Sequence, residues 1–105
     1  MNQFILIFLT LADEISLICE ALKSKDLIQV LTALALTKID LNKIYPIEKR
    51  KQGVLHFACA HSAKDIIELL LLNGCNLNLD DQDCCKPLDY SMSGNNVNID
   101  LNLTL

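Results

Sequence analysis

The apolar residues between positions 13 and 37 recur with a helical period in two successive stretches. Each stretch places them at i, i+3, i+4 and i+7, which is the spacing of one helix face. The first set is Ile15, Ile18, Cys19 and Leu22, and the second is Leu27, Val30, Leu31 and Leu34. Because the polar run at residues 23–26 separates the two sets, the pattern predicts two short antiparallel helices.

A second pair of helices is predicted downstream. A short helix should run from Leu55 to about His61, and the almost wholly apolar run at residues 66–72 predicts another. Before that run, Ser62-Ala63-Lys64-Asp65 has the S-x-x-D form of a capping box, which would satisfy free amide groups at the helix start. The pair Asn73-Gly74 should end the helix, because glycine accepts the left-handed conformation of the C′ position.

The connections and the tail follow other patterns. The connection from Asn42 to Leu55 is three positions longer than the equivalent one from Asn78 to Leu88, and Pro46 and Gly53 fit a loop there rather than a paired strand. Residues 97–105 alternate apolar and polar side chains with a period of two, which is a strand pattern. We therefore expect residues 95–105 not to form a stable helix.

The chain also repeats itself at a step of 33 residues. Leu55-His56-Phe57-Ala58 returns as Leu88-Asp89-Tyr90-Ser91, with the same leucine, a polar residue, an aromatic ring and a small residue. This pattern resembles the ankyrin repeat, which has a period of about 33 residues and a T-P-L-H-x-A signature. Three departures stand out: Gly53-Val54 in place of Thr-Pro, Lys86 in place of Thr before Pro87, and Cys84 in place of a turn glycine.

The resemblance implies an all-α fold, a short ankyrin-repeat solenoid of antiparallel helix pairs joined by hairpin loops. Residues 1–12 would be an apolar N-terminal segment, 13–94 the repeats and 95–105 a poorly ordered tail. Within the repeats, 13–42 would be a degenerate capping unit, 51–78 a full repeat and 81–94 an incomplete C-terminal one. The open C-terminal end should then be covered by a partner chain, by self-association, or by the tail adding as a strand to something else.

Composition and charge favour a protein partner. A chain of 105 residues with 51% hydrophobic side chains suits one small globular domain. Thirteen acidic against nine basic side chains give a net charge of -4, which argues against nonspecific binding of nucleic acid through phosphate contacts.

The N-terminal run at residues 4–12 is apolar except for Thr10. It is too short to span a bilayer, which needs about 20 residues in a helix. Its length suits a signal-peptide core, but no Lys or Arg precedes it. We expect a buried or capping segment in a cytoplasmic protein without a membrane span, with a cleaved signal peptide as the alternative.

No catalytic pattern stands out, and we predict a noncatalytic protein without cofactor or metal. His56 and Cys59 have the i, i+3 spacing of a base and a nucleophile, but the resemblance implies that His56 hydrogen-bonds the turn backbone. Cys84-Cys85 should be turn residues, because zinc would need two further ligands nearby. The five cysteines form no C-x-x-C pair, so a reducing compartment is expected.

Two features suggest partner binding. Phe57 and Tyr90 should lie side by side on the concave groove, flanked by Ala60, His61 and Ser93, and exposed aromatic rings make good interface anchors. The alternative, that each ring packs against the next repeat, stays open. The two hairpin tips are charged and form the second candidate for partner binding. One tip is basic, with Lys49, Arg50 and Lys51, and the neighbouring tip is acidic, with Asp80, Asp81 and Asp83. The two tips could also pair with each other.

The expected function is therefore noncatalytic protein recognition through the groove and hairpin tips of ankyrin repeats. An alternative is a detached ankyrin segment of an Arf GTPase-activating protein, regulatory and inactive alone. It follows from a weaker resemblance of Ala33-Leu34-Ala35 and Asp40-Leu41-Asn42 to the ankyrin segment of that family.

Overall fold

The computed structural model describes residues 10–93, which form five helices and one two-stranded antiparallel sheet. In chain order these are α1 (Leu11–Ser24), α2 (Leu27–Leu36), β1 (Tyr45–Ile47), β2 (Arg50–Gln52), α3 (Val54–His61), α4 (Lys64–Leu72) and α5 (Pro87–Ser93). The described part is mostly helical, as expected, but the sheet means that it is not all-α. The predictions for residues 95–105, and that of a buried or capping segment for the apolar run at 4–9, lie outside the described residues. The domain boundaries stay predictions.

The first predicted helix pair is confirmed. Thr10 starts α1 with a capping box, in which its hydroxyl accepts from the Asp13 N–H while the Asp13 carboxylate accepts from the Thr10 N–H. Asp26 starts α2 by accepting from the Ile28 N–H. The Glu14 carboxylate accepts from the Lys38 N–H just beyond α2, so the end of α2 lies beside the start of α1. The two helices are therefore antiparallel.

Pro46 lies in a paired strand, and the loop expected there is wrong. β1 and β2 pair antiparallel with Pro46 opposite Lys51 and Ile47 opposite Arg50. In such a two-residue hairpin, the pair next to the turn exchanges hydrogen bonds and the following pair does not. Proline therefore costs no ladder bond at this position. Tyr45 and Ile47 are buried while Pro46 is exposed, so the strand alternates as a half-buried strand should.

The predicted capping box at Ser62 is also wrong. Ser62 is the C-cap of α3, fully buried, and its hydroxyl donates to the Leu22 carbonyl over 2.9 Å. The N-cap of α4 is Ala63, which has no side chain to accept a hydrogen bond, and the Asp65 carboxylate accepts from the Ile66 N–H instead. The serine is used to join α3 to the end of α1, a tertiary contact that outweighs the local motif.

The helix end at Asn73-Gly74 is confirmed. Gly74 has φ of +95°, the left-handed conformation expected at C′. The Gly74 N–H donates to the Leu71 carbonyl and the Cys75 N–H to the Leu70 carbonyl, which together form a Schellman motif.

The helices form two layers around one core. α1, α3 and α5 pack in a row, α2 packs on α1, and α4 packs on α3 and contacts α2. The core consists of Ile15, Ile18, Cys19, Ala21, Leu22, Val30, Ala33, Tyr45, Ile47, Val54, Leu55, Phe57, Ala58, Cys59, Ile66, Ile67, Leu70 and Cys75. Among residues 10–93, no helix is long and apolar enough to cross a membrane.

Cys84 has φ of +62°, which supports the prediction that it stands where a turn glycine is usual. The side chain is exposed, and a left-handed residue with a Cβ costs roughly 1 kcal/mol. We expect Cys84→Gly to raise the free energy of unfolding by about 0.5–1 kcal/mol in a urea titration. Cys84→Ala keeps the Cβ and should change it by less than about 0.5 kcal/mol. Equal effects of both variants would trace the change to the thiol instead.

Candidate functional site

His56 has a structural role at the turn between neighbouring helix pairs. The ring is fully buried, its Nδ1 accepts from the Gly53 N–H over 3.1 Å, and its Nε2 lies 2.9 Å from the Cys85 carbonyl. Because Nδ1 accepts a backbone proton, Nε2 must carry the ring proton and donate to Cys85. Both nitrogens are occupied by backbone groups, which confirms the backbone-bonding interpretation of this histidine.

Asp81 is a buried centre of hydrogen bonds, although the sequence places it on a charged hairpin tip. Its Oδ1 accepts from the Asp83 and Cys85 N–H groups, each over 2.8 Å. Its Oδ2 accepts from the Arg50 guanidinium over 3.1 Å and from the Tyr90 hydroxyl. The carboxylate therefore joins β2, its own turn and α5.

The surroundings of Asp81 explain its acidity. Burial alone would raise the pKa of this carboxyl, but hydrogen bonds from Tyr90, Cys85, Asp83 and Arg50 lower it to about 2. The pKa of Tyr90 is raised, first by burial and then by the hydrogen bond that it donates to Asp81. The pair is therefore a phenol donating to a carboxylate at neutral pH.

We expect Asp81→Asn to lower the free energy of unfolding at pH 7 by about 2–3 kcal/mol, because the buried donors lose a charged acceptor. Since the folded pKa lies below the ordinary 3.8, this contribution is complete above about pH 4 and is lost as the pH falls through about 2. The variant should therefore lose less stability than the natural chain over that interval in urea titrations. Asp83→Asn, at a half-exposed carboxylate, is the matched control. Equal acid sensitivity of both variants and the natural chain would contradict this role.

The two hairpin tips pair with each other. Arg50 contacts both Asp81 and Asp83, and the Lys51 N–H donates to the Gln82 side chain while the Gln82 N–H donates to the Lys51 carbonyl. The pairing across the tips, which the sequence left open, is therefore present. Lys49, Lys51, Asp80 and Asp83 remain exposed, and Asp80 pairs with Lys86.

Phe57 is buried, and the expectation of an exposed ring is wrong. Only 1% of the residue is exposed, because α3 lies between α1 and α5 with α4 behind it. The His61 ring covers Phe57 at a centroid distance of 4.4 Å, and Lys23 Nζ lies 5.6 Å from the Phe57 centroid. Tyr90 contacts His56 edge-on at 5.1 Å between ring centroids.

The remaining predicted groove residues have mixed positions. Ala60 and His61 are half-buried, and Tyr90 is half-buried with the Arg50 guanidinium 5.5 Å from its ring centroid. Ser93 is the last residue of α5, and its side chain is not among those described. Their binding roles stay predictions.

A groove that the sequence did not predict runs between α1 and the tip of the β hairpin. We call it the α1–hairpin groove; it has a volume of about 420 Å³ and is lined by Leu11, Ala12, Ile15, Ser16, Cys19, Glu20, Lys23, Pro46, Ile47 and Glu48. The apolar spacing of α1 predicted that Ile15 and Cys19 belong to the core. It did not predict that a groove lies between these residues and the hairpin. Lys23 and Glu48, at the end of the groove, belong to no motif that would have identified them in the sequence.

The α1–hairpin groove has an apolar floor and a charged end. Ile15 and Ile47 are buried at the floor, whereas Leu11 is 52% exposed at the opening. Lys23 Nζ donates to Glu48 over 2.6 Å, and this bond raises the pKa of Lys23 and lowers that of Glu48. The groove can therefore take an apolar side chain beside a group that hydrogen-bonds the ion pair.

Three of the five cysteines, Cys19, Cys59 and Cys75, are buried thiols. Burial raises the pKa of Cys59 and of Cys75 to about 12, and that of Cys19 to about 11, so each is protonated at neutral pH. In the described part of the chain, no group of three or more His, Cys, Asp or Glu side chains could hold a metal ion.

Comparison with known proteins adds no relative. No family model matches the chain, and no curated protein and no solved structure does either.

Proposed function

We propose that this chain is a short ankyrin-type stack that recognises a protein segment without catalysis. The observation that carries the proposal is that α3 and α5, which are one repeat step apart in the sequence, pack against each other. α3 and α5 begin 33 positions apart, and Arg50 contacts Asp83 at the same separation. Asn42 forms contacts at nearly the same separation: it accepts from the Asn76 N–H, 34 positions later, and donates to the Gly74 carbonyl, 32 positions later.

The α1–hairpin groove supports the binding of a protein segment. It lies on the side of the row α1, α3 and α5 that faces the β hairpin. That side is the concave surface of an ankyrin-type stack. Its floor is preformed by buried side chains, so a ligand would not have to order them. An apolar anchor seated beside Leu11, with a backbone or polar group at the Lys23–Glu48 pair, matches its chemistry.

A peptide selected from a random display library against the full chain would test this proposal. We expect chemical-shift changes on adding that peptide to centre on the α1–hairpin groove. Leu11→Ser should weaken binding about tenfold, equivalent to about 1.4 kcal/mol, because the anchor loses its apolar contact. Leu72→Ser, at a leucine that is 86% exposed on α4, is the matched control. A peptide that binds elsewhere, or equal affinity for both variants, would contradict the groove.

A further inference from the structure

The outer helix α2 carries apolar side chains on almost all sides but buries few of them. All of its residues except Gln29 and Thr32 are apolar, yet only Val30 and Ala33 are buried. Ile28 is 68% exposed, Leu31 43% and Leu36 42%. A helix that is apolar all round is normally covered all round, so one side of α2 lacks a neighbour among residues 10–93.

The uncovered side forms a groove with α1 at the end of the stack. We call it the end groove; it has a volume of about 240 Å³ and is lined by Leu17, Glu20, Ala21, Ile28, Gln29, Thr32, Ala33 and Leu36. Its only charged residue is Glu20. The opposite sides of α1 and α2 pack on α3 and α4, so the end groove faces away from the rest of the described chain.

We propose that the apolar run at residues 4–9 of this same chain occupies the end groove. The run, Phe4-Ile5-Leu6-Ile7-Phe8-Leu9, carries no charge and directly precedes Thr10, where α1 begins. It therefore matches the groove in polarity and is tethered beside it. A tethered segment has a high effective concentration at a neighbouring site, which favours it over a second copy or another protein.

The reach of the run fits the groove. Because the end of α2 lies beside the start of α1, a chain running back from Thr10 meets Leu36 first and Ile28 last. Six extended residues span about 20 Å, and the ten residues of α2 span about 15 Å. The run can therefore cover the whole length of α2, with Phe8 near Leu36 and Phe4 towards Ile28.

Photo-crosslinking of the full chain tests this assignment. With p-benzoylphenylalanine in place of Phe8, we expect an intramolecular cross-link to the Leu36 end of the groove, and with the probe in place of Phe4, one towards Ile28. Mixing isotopically light and heavy chains distinguishes the source. Mixed cross-links would assign the groove to a second copy and overturn the proposal, as would the absence of cross-links to α2.

A double-mutant cycle gives a second, independent readout. If the run covers Ile28, Ile28→Asp should lower the melting temperature by several degrees, because it would place a carboxylate between the run and α2. In a Phe4→Asp background the same change should have little further effect. Leu72→Asp, at an even more exposed leucine on α4, should leave the melting temperature unchanged. Additive effects of Phe4→Asp and Ile28→Asp would contradict docking.

Discussion

Leu70→Asp is expected to unfold the protein in aqueous buffer at neutral pH. Leu70 is fully buried in the middle of the core, and its carbonyl also accepts the bond that closes the Schellman motif after α4. An aspartate there would place an unpaired carboxylate in an apolar site, which costs several kcal/mol in addition to the lost packing. Domains of this size are stable by only about 5–10 kcal/mol, so little folded protein should remain.

Circular dichroism measures this effect, and α4 supplies its own control. Leu72 lies two residues further along the same helix but is 86% exposed. Leu72→Asp should change the free energy of unfolding by less than about 0.5 kcal/mol. If both variants kept the helical signal and melting curve of the natural chain, the burial of Leu70 and the packing of α4 would both be wrong.

The features that could be predicted from the sequence are those set by neighbouring residues. The periodic apolar faces of α1 and α2, and the glycine after α4, depend on helix geometry and on the conformations open to glycine, which act locally. The backbone hydrogen bonds of His56 were predicted from the resemblance to the ankyrin repeat; its Gly53 partner lies three positions away and its Cys85 partner 29 positions away.

The features that were predicted wrongly depend on contacts between distant residues. Ser62 fits a local capping box but donates to a carbonyl 40 positions earlier, and Asp81 looks like a tip residue but accepts from Arg50, 31 positions earlier. Such choices are decided by which polar groups would otherwise be buried without a partner. The spacing of residues along one segment contains no information about those groups.

The burial of Phe57 was missed for a related reason. The 33-residue spacing predicted that this ring faces a concave groove, but the spacing does not show how far neighbouring side chains extend over the ring. His61 from the same helix and Lys23 from α1 both lie over the ring. Exposure at this position is therefore a property of the side chains around it.

Phe57→Ala is accordingly expected to destabilise the protein rather than to remove a binding anchor. Deleting a fully buried ring removes its packing and leaves a cavity among α1, α3 and α5, which costs about 3–5 kcal/mol. Phe57→Leu keeps most of the buried volume and should cost less than about 1.5 kcal/mol. Urea titrations followed by circular dichroism give both values, and peptide affinity measured on the folded fraction gives the binding term. We expect the affinity of folded Phe57→Leu to match that of the natural chain. Unchanged stability of Phe57→Ala together with weaker binding would restore the exposed anchor and would require the His61 ring to lie away from Phe57.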